Sequence, residues 1–259
     1  MTAFKQARFE LAGVEVAVSE LGDGPPLLFL HGAGTVTGFD ALLPLAGHFR
    51  LIVPNHPGFG ASSDDPQIRS VHDYERIYLD LLDALGIDEL TLAGHSMGGW
   101  IAATLAISQR ARLHSLVLAA PWGLRVAEHP TVDLFSLPDA EVPAYLAADL
   151  SVFAGKAPDP PTPDWLADRY RESTSAARLL WAHTYDQSLA RWLHRIEVPT
   201  LLLWGESDRV VPVGQLGSWQ SYISGASACT LPGVGHLLFD ESPEAVEAID
   251  EFALRYADG

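Results

Sequence analysis

The chain has 259 residues, of which 48% are hydrophobic, a formal net charge of −17 and a single cysteine. This length and composition fit one large domain with a buried core, and one cysteine excludes an intrachain disulfide and a metal site built from several cysteines. The acidic balance argues against nucleic acid or an anionic membrane as a partner. Because no apolar run approaches the roughly 20 residues that span a bilayer and the first residues lack a signal-peptide core, we expect a cytoplasmic protein without membrane insertion.

Short apolar runs alternate with helical patterns through the first half of the chain. Residues 9–20 have the alternation of an edge hairpin with its turn near Gly13, and buried strands are predicted at 27–32 and 51–55. Apolar residues at helical spacing predict a helix over 70–85, which Gly86 would end. The next strand, at 89–94, is followed at once by an Ala-rich helix.

The second half continues this alternation after one long interruption. Strands are predicted at 113–121, 199–205 and 227–233, and an amphipathic helix closes the chain. This order predicts an α/β fold whose mostly parallel sheet is covered by helices on both faces. Residues 122–196 contain no convincing buried strand, and a helical pattern runs over 164–195. We therefore predict a core of residues 1–121 and 197–259, with a helical insertion at 122–196 over the C-terminal edge of the sheet.

A G-x-S-x-G motif stands between the strand at 89–94 and the helix that follows it, with Ser96 at its centre. A sharp strand-to-helix turn strains the backbone of the serine and exposes its hydroxyl at the carboxyl end of the sheet. Glycines at 94 and 98 remove side chains that would clash there. This context predicts that Ser96 is a nucleophile rather than a helix cap.

A serine hydroxyl needs a base, and chain order selects one of the ten histidines. Where this turn occurs in an α/β sheet, the acid and then the histidine follow the serine. His236 is the only histidine after residue 194, and it follows the predicted strand at 227–233. Asp208 follows the strand at 199–205 and is the predicted acid, with Glu206 as a nearby competitor.

The Gly-rich segment after the first buried strand predicts an oxyanion hole, because acyl transfer needs prepositioned N–H donors. The backbone amides of Ala33 and Met97 are the predicted donors, and the amide of Gly34 is the alternative to that of Ala33. His31 is interpreted as a structural side chain that braces this loop. The expected substrate pocket is mainly apolar, and its candidate residues are Gly34, His95, Trp122, Leu237 and Leu238.

These motifs together resemble the α/β-hydrolase superfamily, in its cap-bearing, esterase-like branch. The likeness rests on HGAG at 31–34, NHPGFGAS at 55–62, GHSMGG at 94–99, VPTLLLWGESDRVVP at 198–212 and LPGVGHLLFDESPE at 231–244. The resemblance implies an eight-stranded core, a helical cap over the site, no metal and no organic cofactor. It carries the catalytic roles to Ser96, Asp208 and His236, and the oxyanion roles to Ala33 and Met97.

The expected activity is cleavage of a small-molecule carboxylic ester by acyl transfer. Dehalogenases and epoxide hydrolases of this fold use an aspartate nucleophile, so Ser96 argues against both. Carbon–carbon bond hydrolases of ring-fission diketones share the triad, but they usually carry asparagine and an aromatic residue where this chain has His95 and Leu237. A non-catalytic small-molecule receptor and a cofactor-free lyase or oxygenase are further alternatives. The sequence predicts no oligomeric state.

Overall fold

Eight strands form a single sheet in the structure, a computed structural model that describes residues 3–181 and 184–257. The strands are β1 (Lys5–Leu11), β2 (Val14–Leu21), β3 (Pro26–Leu30), β4 (Arg50–Pro54), β5 (Leu90–His95), β6 (Leu113–Ala119), β7 (Thr200–Gly205) and β8 (Ser227–Leu231). Their order across the sheet is β1-β2-β4-β3-β5-β6-β7-β8. The first hairpin and the β2–β4 pair are antiparallel, and every other pair is parallel. The predicted α/β class and mostly parallel sheet are confirmed.

Helices connect the parallel strands. They are α1 (Val71–Leu85), α2 (Met97–Ser108), α3 (Val142–Leu146), α4 (Pro163–Leu180), α5 (Leu189–Trp192), α6 (Leu216–Tyr222), α7 (Leu238–Glu241) and α8 (Pro243–Leu254). Short 3-10 turns occupy Asp40–Gly47, Arg110–Arg112, Leu134–Ser136, Leu150–Phe153, Leu193–Arg195 and Val213–Gln215. Within the described residues, no helix is long and apolar enough to cross a membrane.

The central strands are buried on both faces, which is why they read as continuous apolar runs. Every residue of β5 and of β7 is buried. Residues that alternate along a strand point to opposite faces, so helices must cover both sides of the sheet. Helix α1 begins and ends as its sequence predicts: Ser70 and Asp73 form a capping box, and Gly86 adopts the left-handed conformation at the C-terminus.

The stretch between β6 and β7 contains only helices, turns and one isolated bridge among its described residues. The helix predicted over 164–195 is wrong in its second half, because α4 ends at Leu180 and the next helix begins at Leu189. The Asp186 carboxylate accepts hydrogen bonds from the amide and hydroxyl of Ser188. Such local bonds favour a turn over a helix. Residues 182 and 183 of the predicted insertion lie outside the described part of the chain.

The turn from β5 into α2 is built on close backbone contact with β3. A Cβ atom on Gly98 would lie 2.1 Å from the carbonyl oxygen of Leu30, and one on Gly94 would lie 2.3 Å from the carbonyl oxygen of Gly98. No larger residue fits these positions without moving backbone. The N-terminus of α2 is therefore held against the carboxyl end of β3, next to the loop that follows it.

Replacing Gly98 with Ala is expected to lower the free energy of unfolding by about 2 kcal/mol or more, because overpacking against fixed backbone is destabilising. The matched control is Gly217→Ala, also in a helix, where a Cβ meets nothing within 4 Å. That change is expected to leave stability unchanged or to raise it by up to about 1 kcal/mol. Urea unfolding measures both, and equal effects of the two variants would contradict this account of the turn.

Candidate active site

Ser96 stands at the turn between β5 and α2 with a backbone that L-residues rarely adopt. Its φ is 55° and its ψ is −118°. Such a conformation persists only where surrounding bonds fix it. The Ser96 amide donates to Ala119 O at 2.9 Å, and its carbonyl oxygen accepts from the amides of Trp100 at 3.1 Å and Trp122 at 3.0 Å. These bonds hold the hydroxyl at the carboxyl end of the sheet.

The structure brings Ser96, His236 and Asp208 together in one chain of hydrogen bonds. Ser96 Oγ lies 2.9 Å from His236 Nε2, and His236 Nδ1 lies 2.7 Å from Asp208 Oδ2. All three residues are buried. Because a carboxylate only accepts, Nδ1–H donates to Asp208, which leaves Nε2 free to accept the serine proton. This is the tautomer that a general base at Ser96 requires.

Asp208 is held by the backbone of its own loop. Its other oxygen, Oδ1, accepts from the amides of Val210 and Val211, each at 2.8 Å. Hydrogen bonds of this kind stabilise the ionised carboxylate, which in turn orients the imidazole. The competitor Glu206 is exposed and contacts Thr230 Oγ1 at 3.1 Å instead, so it is not part of this hydrogen-bond chain.

The backbone amides of Ala33 and Met97 have no acceptor among the described residues, and neither have those of Gly32 and Gly34. Met97 is the first residue of α2, where the helix leaves its N–H groups unpaired. The loop that carries Ala33 passes close to Ser96. A Cβ on Gly32 would lie 3.3 Å from Ser96 Cβ. The amides of Ala33 and Met97 are therefore available to an oxygen atom bound near Ser96.

His95 binds the loop that carries His236. Its Nε2–H donates to the carbonyl oxygen of His236 at 2.8 Å. Burial, and then the neighbouring His236, lower the pKa of His95 to about 3. A neutral His95 places no positive charge beside the His236 ring.

A second pair of buried histidines lies beneath the loop that carries Ala33. His31 Nδ1–H donates to Gly32 O at 2.6 Å, and His31 Nε2 accepts from the amide of His56 at 2.9 Å. His56 Nε2–H donates to His31 O at 2.7 Å, and its Nδ1 contacts the Tyr78 hydroxyl. Burial lowers the pKa of His56 to about 4 and that of His31 well below its usual value. His31 Nε2 must accept from a backbone N–H, so the His31 ring is neutral; burial favours the neutral form of His56 as well, in which Nδ1 accepts from the Tyr78 hydroxyl.

A cavity of about 700 Å³ opens over Ser96 and His236, with a lining that is mostly apolar. Both the core and the segment between β6 and β7 contribute to its wall. The predicted pocket residues Gly34, His95, Trp122 and Leu237 line it. Leu238 does not: its side chain is fully buried in the hydrophobic core. Helix α7 begins at Leu238, and this local geometry turns it away from the cavity that its neighbour faces.

The cavity wall also carries five charged residues that sequence analysis missed: Asp139, Lys156, Arg169, Glu172 and Asp240. Both cations are already engaged. Arg169 donates to both carboxylate oxygens of Glu172, at 2.7 and 3.0 Å, and Lys156 Nζ donates to Thr37 O at 2.6 Å. One sequence feature could have indicated that Glu172 is buried: it lies on the same helix face as Ala176 and Leu180. The other four follow from tertiary packing alone.

A family model described as the alpha/beta hydrolase fold matches residues 25–243. The chain is 28% identical to a pimeloyl-[acyl-carrier protein] methyl ester esterase from Nitrosomonas europaea, over 88% of this chain and 95% of that protein. It is 26% identical to a 2-hydroxy-6-oxo-6-(2'-aminophenyl)hexa-2,4-dienoic acid hydrolase from Metapseudomonas resinovorans, over 94% and 88% of the two chains. A thermophilic esterase from Thermogutta terrifontis superposes with a TM-score of 0.76 at 25% identity, covering 98% of this chain and all of that one.

The free energy of unfolding is expected to fall on mild acidification because His56 and His95 are buried. The pKa of His56 is lowered to about 4 and that of His95 to about 3, whereas histidines in an unfolded chain titrate near 6.5. Below about pH 6.5 the unfolded state therefore binds more protons, and the free energy of unfolding decreases by at most about 1.4 kcal/mol per pH unit for each such group.

Replacing His56 with Gln is expected to make this decrease shallower between about pH 6.5 and pH 5, a window that lies above the lowered histidine pKa values. Urea unfolding at several pH values, in the wild type and the variant, measures the slope. An identical slope in both proteins would show that His56 does not contribute.

Proposed function

Because this chain belongs to the α/β-hydrolase family, we propose that it is a serine hydrolase that cleaves carboxylic esters. In this proposal Ser96 is the nucleophile, His236 the general base and Asp208 the group that orients it. The observation that carries the proposal is the continuous Asp208–His236–Ser96 hydrogen-bond chain at the floor of the cavity. The esterases from Nitrosomonas europaea and Thermogutta terrifontis support the same substrate class.

The first chemical step forms an acyl-enzyme. Ser96 Oγ attacks the ester carbonyl carbon as its proton passes to His236 Nε2, and the carbonyl oxygen becomes an oxyanion. The amides of Ala33 and Met97 donate to that oxygen, a contribution worth about 3 kcal/mol for one such donor. When the tetrahedral intermediate collapses, the bond to the alcohol oxygen breaks and His236 returns the proton to that oxygen.

The second step releases the acid by the reverse sequence. A water molecule gives a proton to His236 Nε2 and attacks the acyl carbon. Collapse of the second tetrahedral intermediate returns the proton to Ser96 Oγ and frees the enzyme. No metal or organic cofactor enters this scheme.

The helical insertion acts in this proposal as a cap that encloses the substrate. Residues such as Phe153, Trp165 and Leu180 form its side of the cavity. A mainly apolar cavity of about 700 Å³ suits a small ester whose acyl or alcohol part is apolar. Excluding water would strengthen the hydrogen bonds to the oxyanion.

Carbon–carbon bond hydrolysis in a ring-fission diketone is the second candidate, and it uses the same triad. The relative from Metapseudomonas resinovorans, whose named substrate is a dienoic acid, favours it. A carboxylate-bearing substrate is best bound by an unpaired cation, whereas Arg169 is paired with Glu172, and Lys156 donates to Thr37 O and lies close enough to the Asp240 carboxylate to oppose the rise in its pKa. That pairing supports a neutral ester over a dienoate.

Replacing Ser96 with Ala is expected to reduce kcat for p-nitrophenyl butyrate by about 10⁴-fold or more, because it removes the nucleophile. Ser173→Ala is the matched control, since Ser173 lines the same cavity without joining the triad. Its activity is expected to stay near that of the wild type. Undiminished turnover by Ser96→Ala would rule out the proposed mechanism. A wild type that is folded but turns over no ester would favour the receptor alternative.

Neutral esters are expected to react at least about tenfold faster, in kcat/KM, than half-esters of succinic acid with the same alcohol. The wall carries three carboxylates and only two cations, of which Arg169 is paired with Glu172 and Lys156 acts on the Asp240 carboxylate, so a substrate carboxylate meets an excess of negative charge. Steady-state kinetics on matched pairs of esters measure the ratio. A preference for the half-ester, or faster bleaching of a yellow ring-fission dienoate, would support the second candidate instead.

A further inference from the structure

A carboxylate stands on the buried face of helix α4. The buried residues of this helix are Glu172, Ser175, Ala176 and Leu180, which recur at helical spacing. Glu172 is only 3% exposed. A charged side chain at such a position is retained only where donors replace the water it loses.

Glu172 receives those donors from two loops of the core and from its own helix. Its Oε1 accepts from Thr35 Oγ1 at 2.5 Å and from the Gly60 amide at 2.9 Å, and its Oε2 accepts from the Thr35 amide at 3.1 Å. Arg169 completes the set with one bond to each oxygen. Two of these donors are backbone amides, so the carboxylate fixes the path of both loops.

Thr35 belongs to the loop that supplies the oxyanion hole, two residues after Ala33. The start of this loop is held by the bonds between His31 and His56. Among the described residues, no other side chain bonds to the backbone of Thr35. Residues 32–34 between these anchors make no hydrogen bond through their own amides. The position of the Ala33 amide therefore depends on how residues 32–34 are held at their two ends, by His31 and by Thr35.

We propose that Glu172 is a positioning residue for ester cleavage: by binding Thr35, it holds the Ala33 amide where the oxyanion forms. The inference rests on the proposed function and adds a residue of the insertion to the catalytic arrangement. It makes the insertion necessary for transition-state stabilisation as well as for enclosing the substrate.

A contact that only attaches α4 to the core would not affect the oxyanion hole. Helix α4 also makes such a contact, which serves as the comparison. Arg178 pairs with Asp64, and within the described part of the chain it makes no hydrogen bond or ion pair with the loop that carries Ala33. The pair joins the same helix to the same side of the core. Arg178→Gln is therefore the matched control for loss of one charged contact between α4 and the core.

The test is Glu172→Gln. An amide keeps one acceptor oxygen but turns an NH₂ group towards N–H donors, so the Thr35 and Gly60 amides compete for what remains. Displacement of one oxyanion donor is expected to lower kcat for p-nitrophenyl butyrate by about 10- to 100-fold, with KM changed less than about twofold. Inhibition by an alkyl trifluoromethyl ketone, which forms an oxyanion on Ser96, is expected to weaken by a similar factor.

Arg178→Gln is expected to leave kcat and the trifluoromethyl ketone affinity near the wild-type values, even where it lowers the unfolding temperature. Equal losses in Arg178→Gln and Glu172→Gln, or full activity in Glu172→Gln, would overturn the inference while leaving the proposed function intact. A wild type without esterase activity would overturn both.

Thr35→Val provides the test from the loop side if Glu172→Gln fails to fold. It removes the hydroxyl, and with it the bond to Glu172 and the 3.5 Å bond from Arg169, but leaves the Thr35 amide bond to Glu172 in place. The expected result is a smaller loss of kcat in the same direction, with KM unchanged. Wild-type kcat in a folded Thr35→Val protein, beside an unfolded Glu172→Gln, would count against the positioning role.

Discussion

The site depends on one steric constraint, the contact between the first turn of α2 and the end of β3. Gly98 can lie against the carbonyl oxygen of Leu30 only because it has no side chain. That contact forces the preceding turn into the strained backbone of Ser96 and sets the Met97 amide beside the serine hydroxyl. It also brings the start of the loop after β3 next to Ser96, while the bonds at His31 and Thr35 set the path of the residues between them.

The histidines buried around this turn are neutral imidazoles, because burial disfavours the charged form of each ring. Three histidines besides His236 are buried near Ser96, and burial lowers the pKa of each. As neutral rings they act as rigid donors and acceptors that set the course of two loops. Of the four buried histidines in the described part of the chain, His236 alone contacts a carboxylate, that of Asp208, so in the proposed mechanism it is the ring that holds a proton taken from Ser96.

Chain order and local context were sufficient to predict the sheet and the meeting of Ser96 with His236. The choice between Asp208 and Glu206 was open in the sequence, because the amides of Val210 and Val211 that stabilise the acid become visible only in the folded loop. The prediction for Leu238 was wrong because α7 begins there, and successive residues of a helix project about 100° apart, which points Leu238 into the core while Leu237 lines the cavity. The helix over 164–195 was interrupted by turn bonds at Asp186 that apolar periodicity does not report.

The segment between β6 and β7 bonds to all three loops that carry the site, which pattern analysis could not foresee. Leu146 O accepts from the Leu237 amide, Val210 O accepts from the Val132 amide, and Glu172 binds Thr35. These are long-range contacts of backbone and carboxylate groups, with no periodic signature. They explain how a segment with little regular pattern of its own becomes part of an ordered site.

Covalent capture of the nucleophile tests the central claim most directly. The folded protein would be treated with a fluorophosphonate, digested, and mapped by mass spectrometry with ester turnover followed in parallel. The account predicts a single adduct on the peptide that contains Ser96, formed in step with the loss of activity. An adduct on another residue that accounts for the lost activity, or unmodified Ser96 in a fully inactivated enzyme, would contradict it.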